Sequence, residues 1–144
     1  MLRRAWDWVA PGGHLLVQDY DLRPISVRPA LDSIEEFKRV ALGAFAAAGR
    51  DVHIGHRLPL LFAEAGIGAP GGVDVVGRLE PLATGGAMLA GVHRSIQPTA
   101  VALGLTTPER GERWLDELAA DIADHGDHQL LWPLLIGAWK RKPL

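Results

Sequence analysis

Val9-Ala10-Pro11-Gly12-Gly13-His14-Leu15-Leu16-Val17-Gln18-Asp19-Tyr20-Asp21 is the stretch whose reading decides the fold. Upstream of it, Leu2, Ala5, Trp6 and Val9 recur at helical spacing, with Arg3, Arg4 and Asp7 on the opposite side. Pro11 and the two glycines end that helix and supply a turn. The run Leu15-Leu16-Val17 then predicts a short strand, buried on both faces as in a parallel sheet. Gln18, Asp19, Tyr20 and Asp21 follow at its carboxyl end, the end at which open α/β sheets bind ligands.

Downstream, residues 22–31 hold two prolines and two arginines and read as a loop. Ser33 to Glu36 fits a capping box with Ser33 as N-cap, opening a helix to about Ala48 with Ile34, Phe37, Ala41 and Phe45 on one stripe. A second helix carries Leu58, Leu61, Phe62 and Ala65, with Pro59 in its first turn and Gly66 as its stop. Val73 to Leu79 alternates as a strand with one buried face. Gly85 to Leu105 is an apolar helical stretch expected to break or kink at Pro98. Thr106 or Thr107 caps the next helix, whose face is Trp114, Leu115, Leu118, Ala119 and Ile122. Gly126 closes it, and Gln129 to Lys140 reads as the last strand.

The 144 residues, 48% hydrophobic and 22% charged, describe one globular unit with no repeat and no internal domain boundary. A formal net charge of -2 gives no electrostatic footprint for nucleic acid. No apolar run reaches the roughly 20 residues of a membrane span, and no signal-peptide core is visible. With no cysteine there can be no disulfide and no thiolate metal site; the expected compartment is cytoplasmic.

Three segments resemble the C-terminal half of a class I S-adenosylmethionine-dependent methyltransferase of the small-molecule type. Leu2 to Val17 looks like the family's helix, Pro-Gly-Gly turn and fifth strand. Arg57-Leu58-Pro59-Leu60-Leu61-Phe62-Ala63-Glu64-Ala65-Gly66-Ile67 is similar to the helix leading to its sixth strand, and Ile136 to Pro143 to its closing strand. The resemblance implies a partial Rossmann-like α/β fold, with a three-stranded sheet in the family order 5-7-6. The last strand would lie between the other two, with helices on both sides and helical insertions as a lid.

It also implies a single partial domain over residues 1–144, the acceptor-binding portion, with the donor-binding half absent. No Gly-x-Gly-x-Gly turn follows a strand, and the pairs Gly71-Gly72 and Gly85-Gly86 flank other elements. S-adenosylmethionine is therefore expected for the complete fold, and no cofactor-binding residue is assigned in this chain. The expected partners are a small-molecule acceptor and, through the open edge of strand 15–17, a second copy or the complementary N-terminal half. The alternative is a truncated or repurposed remnant that associates without catalysing.

On that frame Asp19, His53 and His56 are the candidate acid–base residues. Gln18, Tyr20, Asp21 and Arg57 are candidate acceptor contacts, and Phe37, Phe45 and Met88 a candidate apolar lining from the lid. Each has a plainer reading: Asp19 and Asp21 cap a loop and pair with Arg23 or Arg28, His53 and His56 face solvent from a loop, and ordinary core packing is the favoured account of any single apolar residue. Asp124-His125-Gly126-Asp127-His128 has metal-ligand residue types, but a helix end accounts for them, and no metal ligand is expected. Lys140-Arg141-Lys142 reads as a solvated end.

Overall fold

The computed structural model describes residues 1–144 as an α/β chain with five helices and two antiparallel three-stranded sheets. In order these are α1 (Leu2–Trp8), β1 (His14–Asp21), β2 (Ser26–Arg28), α2 (Asp32–Ala47), α3 (Ile54–Glu64), β3 (Gly72–Val76), β4 (Leu79–Pro81), α4 (Leu82–Ala102), α5 (Pro108–His125), β5 (Gln129–Leu131) and β6 (Leu134–Arg141). They form two compact units. The first contains residues 1–21, 53–77 and 133–144; the second contains 22–52 and 78–132. None of the helices is long and apolar enough to cross a membrane.

In the first unit the sheet order is β1-β6-β3, so the last strand lies between the other two, as expected, and runs antiparallel to both. Helices α1 and α3 contribute Trp6, Leu58 and Phe62, which pack with Ile136, Ala138 and Ile67 into one core. The Pro11-Gly12-Gly13 turn is tied to the far end of β6. Gly12 N–H donates to the Lys142 carbonyl at 3.0 Å, and Lys142 N–H to Gly13 at 2.8 Å. Gly12 has φ +76°, a conformation that asks for glycine.

Strand β1 is not buried on both faces. Its side chains alternate, with Leu15, Val17, Asp19 and Asp21 turned inward and Leu16, Gln18 and Tyr20 exposed. Leu16 stands opposite Trp139 and Tyr20 opposite Leu135, so an apolar strip crosses an open sheet face. Strand β3 also lacks the buried face its alternation predicts: Val73, Val75 and Val76 are all exposed, because no β3 residue joins the core that α1 and α3 build against β6. Gly72 accommodates the Trp139 indole, into which an added Cβ would run.

The basic tail is not a solvated end. Lys142 Nζ donates to the Trp6 and Val9 carbonyls at 3.1 and 2.8 Å, satisfying carbonyls at the C-terminus of α1, and lies over the Trp6 ring. Lys140 Nζ donates to the Ala69 carbonyl and Arg141 Nε to that of Gly12.

The second unit packs α2, α4 and α5 with a small sheet of order β2-β5-β4 around Ile34, Phe37, Leu82, Leu89, Trp114, Leu118 and Leu130. The segments expected as lid insertions thus build a core of their own. Thr107 caps α5 by accepting from Arg110 N–H at 3.2 Å, with Pro108 at the first helical position. Ser33 does not cap α2. The helix starts at Asp32, and Ser33 is buried with its hydroxyl donating to Asp121. Helix α4 continues through Pro98 to Ala102 without the expected break.

Residues 22–31 include the short β2, and the run expected as one final strand divides at Trp132-Pro133. Pro133 lacks the N–H that would continue the ladder. Strand β5 therefore serves the second unit's sheet and β6 the first's.

Candidate functional site

The site grows from the last residue of β1. Asp21 falls on the inward face of the strand, and its side chain is only 5% exposed. Helix α3 begins beside it. His53 is the N-cap residue of that helix and His56 lies three positions later, a spacing that sets both on one side of the first turn. His53 Nδ1 lies 3.2 Å from Asp21 Oδ1, and His56 Nε2 lies 3.2 Å from Asp21 Oδ2. The two imidazoles are near-parallel, 18° apart with centroids separated by 6.4 Å.

Gly55 makes this approach possible. A Cβ at that position would lie 2.9 Å from the Asp19 carbonyl oxygen and 3.1 Å from the Tyr20 carbonyl carbon, both backbone atoms of β1. Without a side chain, the first turn of α3 rests against the strand, and the histidines on either side of the glycine reach the carboxylate. Pro59, in the second turn because the helix starts at Ile54, is the residue whose N–H would otherwise bond the Gly55 carbonyl.

The chemistry follows from the atoms. A buried carboxylate can accept one N–H from each imidazole. An imidazole whose N–H is held by a carboxylate has its tautomer fixed and presents its second nitrogen as a proton acceptor. In this arrangement that nitrogen is Nδ1 of His56, the more exposed of the two imidazoles. His56 is 61% exposed and His53 34%, so the pair stands at the surface over a buried anion. The three side chains also place a carboxylate oxygen and two imidazole nitrogens within 4.8 Å of one another, a set able to hold a metal ion.

Of the residues singled out in the sequence, the structure brings together His53, His56 and Asp21. Asp19 is not part of the set; its Oδ1 accepts from Tyr20 N–H at 2.8 Å. Gln18 and Tyr20 point to the open sheet face, and Arg57 is exposed. Phe37 is a core residue stacked on Trp114 with centroids 5.5 Å apart, Phe45 is half-buried, and Met88 is exposed. His125 and His128 stack at 4.8 Å, and His128 Nδ1 lies 3.1 Å from the Pro29 carbonyl, but Asp124 and Asp127 do not join them as ligands.

Sequence reasoning gave Asp21 a secondary place. The signal that promotes it is parity: Asp19 and Asp21 share the inward face, and only the second stands at the strand's end.

Two further polar groups belong to the second unit. His93 is buried, stacked on Trp114 at 4.2 Å with Nε2 3.2 Å from the Gly111 carbonyl. Burial holds its pKa below the ordinary histidine value. Arg110 forks onto Glu36 and Glu117, and its hydrogen bonds hold the Glu117 carboxyl below the usual carboxylate range. A shallow depression in this unit is lined by Ala30, Leu31, Asp32, Ser33, Glu117 and Asp121, none of them from the histidine cluster.

Comparison of the chain with protein-family models and with curated proteins returns no match.

Proposed function

We propose that this chain is the acceptor-binding portion of a small-molecule methyltransferase with a partial Rossmann-like sheet, and that Asp21, His53 and His56 receive the acceptor. The observation that carries the reading is the strand order β1-β6-β3 with β6 reversed between its neighbours. The family order 5-7-6 requires that arrangement, and the polar cluster stands at the carboxyl end of the strand that corresponds to the fifth. A histidine nitrogen held in one tautomer by a buried carboxylate suits removal of a proton from a hydroxyl or amine.

The donor is a different matter. S-adenosylmethionine supplies an activated methyl group and is cradled in the family by glycines that let backbone approach it. The glycine pairs here have other duties. Gly72 makes room for Trp139, Gly85 for Leu130 and Trp132, and Gly86 for Ile122. The residues present do not fit the donor. Calorimetric titration of the chain with S-adenosylmethionine is expected to give no tight binding; micromolar affinity would overturn this division of labour.

A second reading, association without catalysis, is favoured by one observation. The edge strand β1 carries Leu16 and Tyr20, 58% and 49% exposed, on an open face that Trp139 and Val76 continue. Such an edge pairs readily with another strand. Sedimentation showing a monomer at every concentration would count against this reading, as would a Leu16→Ser variant whose oligomeric state is unchanged.

A further inference from the structure

We infer that Asp21, His53 and His56 form a binding site for a divalent transition metal ion of the zinc class. Two imidazole nitrogens and one carboxylate oxygen are a donor set suited to zinc and its neighbours, and hard oxygen-only ions such as Mg²⁺ are poorly matched to it. A tetrahedral zinc centre with ligands at about 2.0–2.2 Å separates those ligands by roughly 3.3–3.5 Å. Each histidine nitrogen already stands 3.2 Å from an Asp21 oxygen, and all three donor atoms lie within 4.8 Å of one another. Rotation of the exposed His56 side chain closes the remaining gap.

The site is built, not a chance meeting of surface side chains. Asp21 is 4% exposed and fixed at the end of a paired strand, so the anionic ligand is preorganised and partly shielded from water. His53 and His56 come from one helical turn, held against that strand by the absence of a side chain at Gly55. In the metal-bound form the nitrogens facing Asp21, Nδ1 of His53 and Nε2 of His56, ligate the ion, and each imidazole carries its proton on the outward nitrogen. Three protein ligands leave a fourth tetrahedral position for water or for an oxygen ligand such as a phenol or alcohol. The ion would lower the pKa of that oxygen and so ease loss of its proton to solvent, in place of the proton removal that the acceptor reading gives to a metal-free histidine. The metal assignment rests on the geometry of the strand end alone, so it stands or falls apart from the methyltransferase reading.

The test is titration of the tag-free chain with Zn²⁺ by calorimetry and with Co²⁺ by visible absorption, alongside His53→Gln, His56→Gln and His128→Gln variants. One ion per chain is expected, with a tetrahedral Co²⁺ spectrum. Each of the first two substitutions should weaken binding by about 10-fold or more, and His128→Gln should leave it unchanged. His56 is exposed, so its variant keeps the fold, which circular dichroism checks. Absence of binding below about 1 mM would overturn the assignment, as would affinity indifferent to His53 and His56 or lost on changing His128.

Discussion

Replacing Gly55 by alanine sets two opposed effects against each other. In a helix, alanine is favoured over glycine by about 0.5–1 kcal/mol, because less backbone entropy is lost on folding. At Gly55 the added methyl meets the Asp19 carbonyl oxygen at 2.9 Å, the Tyr20 carbonyl carbon at 3.1 Å and Ile136 Cδ1 at 3.1 Å. Ordinary contacts begin near 3.5 Å, so α3 and β1 must separate by about 0.5 Å. Two of the three neighbours are backbone atoms of a paired strand and cannot rotate away. Overpacking of this kind costs about 1–3 kcal/mol, which outweighs the propensity gain.

The control is Gly91→Ala in the middle of α4, where an added Cβ meets nothing within 4 Å and only the gain of about 0.5–1 kcal/mol remains. Urea unfolding followed by far-UV circular dichroism should show the two variants moving in opposite directions. NMR should show His53 and His56 ring resonances shifted in Gly55→Ala and not in Gly91→Ala. If both variants are stabilised alike, the close approach of α3 to β1 is not what assembles the cluster.

Phe62 is fully buried in the first unit's core, so Phe62→Ala should cost about 3–5 kcal/mol in urea melts, whereas the exposed Leu16→Ala should stay within about 0.5 kcal/mol. Thr107→Ala removes the side-chain cap of α5 and should cost about 1 kcal/mol, read as a lowered unfolding midpoint. His93 has a depressed pKa in the folded chain, so below about pH 6.5 the unfolded chain binds the extra proton first. The stability held above pH 6.5 should therefore decline as pH falls toward the folded value. Urea midpoints at pH 7.5 and 5.5 should differ more in the parent than in His93→Leu.

Much of this fold was legible because local chemistry and tertiary structure agree. The Pro-Gly-Gly turn, the Thr107-Pro108 helix start and the Gly126 stop each follow from short-range geometry, and each stands where the residues predict. The central position of the last strand came from the resemblance and is observed.

Misreadings arose where burial depends on distant partners. Leu15-Leu16-Val17 looks buried on both faces, yet whether Leu16 is covered depends on what lies over the sheet. Ser33 has the residue type of a cap, but Trp114 Nε1 bonds its carbonyl at 2.7 Å and Asp121 takes its hydroxyl. The division at Trp132-Pro133 between two sheets is a tertiary event that no local pattern announces. Within the site, His53 and His56 were visible as acid–base residue types clustered where the resemblance places the acceptor pocket. Asp21 as their common partner required the register of β1 and the bare backbone at Gly55.

The most direct test of the account is NMR mapping of small-molecule binding on the ¹⁵N-labelled chain, using a panel of phenols, catechols and aromatic amines. The acceptor reading predicts binding by members of the panel, with shifts concentrated at Asp19 to Asp21 and His53 to His56 and lost in His53→Gln. Binding that maps elsewhere, or no binding by any compound in the panel, would contradict it.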